Sequence, residues 1–283
     1  MEEMKSKLPT KGTAKDVVPT PPVQVPINVD RIENAVNIPS EQIELPSKGL
    51  LYKEGSILSS GIIEMKYMTA RDEDILTNES FIRNGTVFDK LFQSLITSPI
   101  RYDDLLLGDK NAIMIAARIL SYGAEYEITV TTPSGKEQKH IVDLTTIIPK
   151  EMDETLITPG KNEFTYTVET TGVVITFRLL TIKDERDVEN RLKLWKKMKK
   201  TGNLTARLRQ MITSVNGDTN EGHIAAWIDN QFLAKDAREF RKYVASVQPN
   251  LDFEIEIEDE GTGDTFRTEF TPGPTIFWPD ANI

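Results

Sequence analysis

The chain has no cysteine in its 283 residues. That removes disulfides, thiolate metal sites and cysteine nucleophiles together, and fits a reducing compartment or an assembly indifferent to redox. Histidine is nearly as scarce, with His140 and His223 the whole complement, so a histidine-rich metal site is excluded as well. No apolar run approaches the roughly 20 residues that span a bilayer, and Met1-Glu2-Glu3-Met4-Lys5 lacks the apolar core of a signal peptide. The expectation is a soluble protein that stays where it is made. Positive charge is also in deficit, 34 Lys and Arg against 44 Asp and Glu for a net charge of −10. Coating nucleic acid takes a basic surface, so nucleic acid is a disfavoured partner, and an anionic membrane surface is disfavoured likewise.

The motifs of ordinary catalysis are missing too. There is no glycine-rich phosphate loop ending in Lys-Ser/Thr and no Gly-x-Ser-x-Gly. Asp72, Glu73 and Asp74 are clustered carboxylates, but consecutive helical residues point in different directions and helix capping already accounts for them. Asp103-Asp104 and the acidic run from Asp252 to Glu260 lack the ligand spacing of a calcium loop; the run reads as the outer face of an edge strand, where charge discourages aggregation. His140 on a strand and His223 near a helix start are far apart in the chain. No catalytic residue, cofactor or metal ligand is assigned.

What is present is a stretch used twice. Met68-Thr69-Ala70-Arg71-Asp72-Glu73-Asp74-Ile75-Leu76 follows the strand-like Ile62 to Met68, and its Thr69 and Asp72 make a capping box with Asp in place of Glu or Gln. Thr181 and Asp184 repeat the pair after the strand-like Val173 to Leu180, at a shift of 112 positions. A second pairing, at a shift of 127, joins Asp109 with Asp236, each expected to open a helix that leads into a hairpin beginning at Tyr126 or Phe253. Two matched pairs in one order point to a duplicated unit of strand, capped helix, helix and hairpin.

The chain divides accordingly. Residues 1–40 hold scattered lysines and six prolines and cannot bury enough surface to fold alone, which reads as a flexible arm. The Val23, Val25 and Ile27 it carries also suit an extended strand that pairs with a neighbour's sheet edge. From Ile43 the pattern gives a strand, a Pro-Ser-Lys-Gly turn and a short strand at Leu50-Leu51-Tyr52. Val87, Phe88, Leu91, Phe92 and Leu95 recur at helical spacing. Residues 149–162, without periodicity, are the candidate linker between subdomains 41–148 and 163–283. In the second, Val188, Leu192, Trp195 and Met198 stripe one helix, whose Lys196, Lys197, Lys199 and Lys200 belong to the one strong basic cluster of an acidic chain. That cluster is either a solvated helix face or a dock for an acidic partner surface, with nucleic acid the lesser alternative. Phe277 and Trp278 near the end are either folded back onto the core or offered to a partner. The fold class expected is α+β, two similar subdomains of capped helices and β-hairpins.

Leu45-Pro46-Ser47-Lys48-Gly49 with Tyr52, the Met68 to Leu76 stretch, Leu107-Gly108-Asp109 with Ser121-Tyr122-Gly123-Ala124-Glu125-Tyr126, and the closing Phe277-Trp278-Pro279 resemble, in that order, the baseplate hub proteins of T-even and related contractile-tailed bacteriophages. The resemblance runs from about Leu45 to Pro279. It implies a non-enzymatic structural or assembly component of the virion tail baseplate hub, assembled in the host cytoplasm. Its implied partners are other tail or hub proteins, among them the tape-measure protein. Some relatives carry Cys-x-x-Cys knuckles in the hairpins; here stand Thr132-Pro133-Ser134-Gly135 and Glu258-Asp259-Glu260-Gly261, so no metal carries over and the turns are expected to hold by backbone chemistry alone. Two alternatives stay open: a transient tail-assembly chaperone absent from the finished virion, and a hydrolase using a metal held by carboxylates alone.

Overall fold

The computed structural model describes residues 38–199 and 202–278, and these fall in one compact unit. The architecture is α+β. Strand β1 (Ser40–Glu44) pairs antiparallel with β2 (Ile62–Lys66), whose alternation sends Ile63 and Met65 into the core. Helix α1 (Ala70–Leu76) follows, then α2 (Glu79–Asn84), capped by the Asn78 side chain and ended by Gly85 in the left-handed region at φ 71°. Helix α3 (Val87–Leu95) buries Val87, Leu91, Phe92 and Leu95, one stripe of a 3.6-residue period. Ile96 then leaves the helix to bridge Met65 of β2. Helix α4 (Leu107–Tyr122), stopped at Gly123, leads into the hairpin of β3 (Glu125–Thr131) and β4 (Glu137–Asp143).

A second stretch of strands and helices follows. Strands β5 (Phe164–Thr167) and β6 (Val174–Phe177) form a hairpin; α5 (Ile182–Lys197) and α6 (Asn203–Met211) follow. β7 (Ile212–Val215) leaves α6 to pair with β6, so the sheet runs β5-β6-β7. Helices α7 (Glu221–Asn230) and α8 (Ala234–Val247) lead to the last hairpin, β8 (Glu254–Glu258) with β9 (Thr265–Glu269), and a 3-10 turn at Pro274–Phe277.

Both stretches contribute to one hydrophobic core. Phe177 stands at its second-half centre, edge-on to Phe240 at 5.0 Å and stacked on Phe164 at 5.4 Å. The backbone joins the stretches directly: Ile182 N–H donates to the Leu105 carbonyl at 2.8 Å and Leu107 N–H to the Leu180 carbonyl at 3.2 Å. Pro249 packs so closely on the start of α4 that a Cβ on Gly108 would lie 1.6 Å from its carbonyl oxygen. Within 149–162, Lys150 N–H donates to the Asn250 carbonyl and Gly160 N–H to the Leu50 carbonyl, each at 2.8 Å.

Several expectations need correction. The arm expected over residues 1–40 lies outside the described residues except for its last three. Leu50-Leu51-Tyr52 is turn and bend, because Lys48 at φ 50° and Gly49 at φ 76° fold the chain back on itself. α4 and α8 begin two residues before Asp109 and Asp236, which therefore cap nothing; the N-cap positions are Leu106 and Leu233, neither with a side-chain cap. Strand β7 begins at Ile212, although Ile212 continues the helical spacing of Leu204, Leu208 and Met211, and Met198, expected on the stripe of α5, lies past its end and 63% exposed.

Candidate functional site

The two predicted capping boxes both form, each as the centre of a larger anchor. Asp72 accepts from the Thr69 N–H at 3.0 Å and hydroxyl at 2.7 Å, while Thr69 Oγ1 accepts from the Asp72 N–H at 3.4 Å. Lys66, the last residue of β2, places its Nζ 2.8 Å from Asp72, and Ser94 near the end of α3 donates as well. Burial favours the neutral acid, but these donors outweigh it and hold the carboxyl at about 2. Asp184 repeats the arrangement. It accepts from the Thr181 N–H at 2.9 Å and hydroxyl at 2.8 Å, from both Arg178 Nη atoms, and from Gln210 Nε2 at 2.8 Å. Here too the donors overcome burial and depress the carboxyl. Gln210 stands next to last in α6, as Ser94 does in α3. Carboxylates so fully supplied with donors tie a strand, a helix start and a second helix together; they are poor proton acceptors near neutrality.

Asp109 and Asp236 form a second matched pair. Asp109 is fully buried; one oxygen accepts from the Ser47 N–H at 2.9 Å and the other from the Tyr52 hydroxyl, which in turn accepts from the Leu106 N–H at 2.9 Å. Burial raises its carboxyl against the pull of those bonds. Asp236, 4% exposed, accepts from the Thr170 hydroxyl at 2.5 Å. Each of these helices therefore grips the loop of its own β-hairpin, β1 with β2 or β5 with β6.

The two outer hairpin turns meet. Asp259, 2% exposed, accepts from the Ser134 N–H at 3.2 Å, the Ser134 hydroxyl at 3.1 Å and the Gly261 N–H at 2.8 Å, and Thr132 Oγ1 lies 2.8 Å from Ser134 Oγ. This corrects the expectation of backbone chemistry alone: side-chain oxygens knit the turns, and Gln138 adds bonds to the Glu258 carbonyl and Glu260 N–H.

The remaining candidates stay separate. Asp103 is paired with Arg186 at 2.9 Å, Asp104 lies 3.5 Å from Arg101, and His223 Nδ1 sits 2.8 Å from Asp218 on the surface. Among the described residues no three His, Asp or Glu side chains are grouped to hold a metal ion. Lys196 and Lys197 are exposed in the last turn of α5, where they complement the helix dipole, and Lys199 is exposed just beyond; Lys200, Val23, Val25 and Ile27 lie outside the described residues. Trp195, half-buried on the same helix, carries the Arg209 guanidinium 5.4 Å from its ring centre. Phe277 is 1% exposed, packed against Phe88 at 5.5 Å and Phe92 at 6.0 Å, with Trp278 half-buried against Phe88 at 5.7 Å. Of the two readings for the closing aromatics, the inward one describes Phe277.

A family described as T4 bacteriophage base plate protein matches residues 42–278, most of the chain. The chain belongs to that family. It is a T4-like phage baseplate protein, and its place is accordingly among the proteins of the virion tail. No curated protein and no solved structure matches it. The match spans all nine strands and eight helices of the described residues apart from the first two residues of β1, so both capping boxes and both buried aspartates fall inside it. No helix among the described residues is long and apolar enough to cross a membrane.

Proposed function

We propose that this baseplate protein is a non-catalytic building block of the hub, acting through contacts with other tail proteins, the tape-measure protein among the candidate neighbours. The observation that carries the reading is the use made of its carboxylates. Asp72, Asp109, Asp184, Asp236 and Asp259 are the buried acids of the described residues, and each is bound to a hydroxyl, a backbone N–H or a cation of the fold itself. A catalytic carboxylate is kept available to substrate; these are consumed in holding the scaffold rigid. We further read 41–148 and 163–283 as two copies of one unit joined by 149–162. In its favour stand a strand pair before and a hairpin after the helices of each stretch, the same Thr/Asp box with a cation and a helical polar donor, and the same buried aspartate three residues into a helix.

A rigid scaffold suits a particle part that must transmit force without changing its own shape. The exposed lysines Lys196, Lys197 and Lys199 with Trp195 beside them in the chain supply a basic contact that fits an acidic neighbour, on a chain whose net charge of −10 disfavours nucleic acid. Assembly would take place in the host cytoplasm, where a cysteine-free chain loses nothing to reduction.

Cross-linking mass spectrometry on isolated baseplates tests the placement. Cross-links from Lys196, Lys197 or Lys199 to proteins on the central axis are expected. Links only to peripheral wedge proteins would remove the hub from the reading, and a chain needed for hub formation yet missing from finished baseplates would make it an assembly chaperone instead.

A further inference from the structure

Helices α3 and α6 are both nine residues long, and each ends on an isoleucine that turns back to the β2 or β6 strand of its half. Helices α4 and α8 both carry a buried aspartate at their third position. The groove beside α3 and α4 is filled: the 3-10 turn Pro274–Phe277 lies against α4, Ile276 and Phe277 are 0% and 1% exposed, and the rings of Phe88 and Phe92 receive Phe277. Phe88 and Phe92 are the second and sixth residues of α3. The second and sixth residues of α6 are Leu204 and Leu208.

The groove beside α6 and α8 is open among the described residues. Leu204, Leu208 and Met211 of α6 and Arg241, Val244 and Gln248 at α8 line a cavity of about 200 Å³, and Leu204 is 40% exposed. That volume is below the roughly 300–1,000 Å³ of small-molecule sites and suits one large side chain. Arg241 stands exposed at the rim; its Nε donates to the Ala237 carbonyl, and no carboxylate pairs with it among the described residues. Arg207, also lining the cavity, is already committed to Glu185.

We propose that the α6/α8 groove is the docking site for a short aromatic segment of a neighbouring tail protein, seated as Phe277 is seated in the first half, with an acidic residue of that segment meeting Arg241. The inference rests on the reading of the two halves as equivalent. The filled groove states what its counterpart takes: one aromatic anchor, as Phe277 is, on an extended or 3-10 backbone. The unpaired guanidinium adds the charge that the segment carries beside it. The chain's own closing sequence, Ile276-Phe277-Trp278-Pro279-Asp280, has this composition, which makes it a usable probe of the site.

The test is a fluorescence-anisotropy titration of the full chain into a labelled peptide of the sequence 273–283. Saturable binding is expected, at roughly 0.1–1 mM for a single buried anchor, weakened at least tenfold by Leu204→Glu and by Arg241→Glu and also by replacing the peptide's Asp280 with Lys. Both variants are at exposed positions, and unchanged circular-dichroism melting curves establish that they fold. No binding at millimolar peptide overturns the proposal. So does binding that Phe88→Ala abolishes and Leu204→Glu leaves intact, which places the peptide in the first groove. A concentration-dependent dimer lost with Arg241→Glu would assign the groove to a second copy of the chain and overturn the neighbouring protein. All outcomes are read on the isolated chain, so they stand apart from whether it occurs in the hub.

Discussion

Asp72 and Asp184 show how a single polar side chain can tie a strand, a helix start and a second helix together. Removing either carboxylate strips a helix cap and strands a half-buried cation, Lys66 at 20% or Arg178 at 32% side-chain exposure. Asp72→Ala should lower unfolding free energy in urea by roughly 2–4 kcal/mol, and Asp184→Ala by at least as much because it also frees Gln210. A pH series separates charge from shape. Asp72 is held at about 2 when folded against 3.8 for an ordinary aspartate, so its contribution is full above that ordinary value and drains away as pH falls toward 2. The urea-midpoint gap between the parent and Asp72→Asn should therefore be constant from pH 5 to 7 and shrink below pH 4. Asp109 has the opposite sign: burial raises its carboxyl, so whatever stability it lends is full below the ordinary aspartate range and is lost as pH rises through its folded value. Asp109→Asn should preserve one bond, to Ser47 or Tyr52, and cost little, whereas Asp109→Leu leaves the Ser47 N–H and the Tyr52 hydroxyl buried and unpaired and should cost about 2–4 kcal/mol.

At the level of elements, the tightest joint is α4 against the end of α8. A methyl group on Gly108 would stand 1.6 Å from the Pro249 carbonyl oxygen, a backbone atom that cannot swing aside. Gly108→Ala should push the two helices apart and destabilise the chain by more than about 3 kcal/mol, or leave it insoluble, while Gly135→Ala in the open β3-β4 turn, where a Cβ meets nothing within 4 Å, pays only for its φ of 81°. What the sequence revealed follows the range of each interaction. A capping box is written within four residues, so Thr69-Asp72 and Thr181-Asp184 were legible, as was the α3 stripe. The partners of Asp109 lie 62 and 57 positions away in the chain; local pattern therefore offered only the capping role, two residues too late in the helix. β7 escaped for a different reason. Ile212 continues the apolar spacing of Leu208 and Met211, and only the pairing of Ile212 with Phe177 ends the helix there.

For the whole molecule, composition spoke to what the chain is not, and the order of short motifs spoke to its family. Neither spoke to surfaces. Whether Phe277 faced in or out depended on Phe88 and Phe92, almost two hundred positions earlier, and the α6/α8 groove is lined by residues as far apart in the chain as Leu204 and Gln248. Lys196, Lys197 and Lys199 are exposed as a contact surface requires, and reversing them to glutamate should weaken incorporation into particles while lowering urea stability by no more than about 1–2 kcal/mol, the loss of the charges that complement the α5 dipole. The claim beneath all of this is that the protein is a lasting part of the tail. Quantitative mass spectrometry of purified virions tests it most directly. Peptides of this chain in a fixed ratio to the other baseplate proteins, unchanged through repeated gradient purification, are the predicted result; their absence from infectious particles would contradict it.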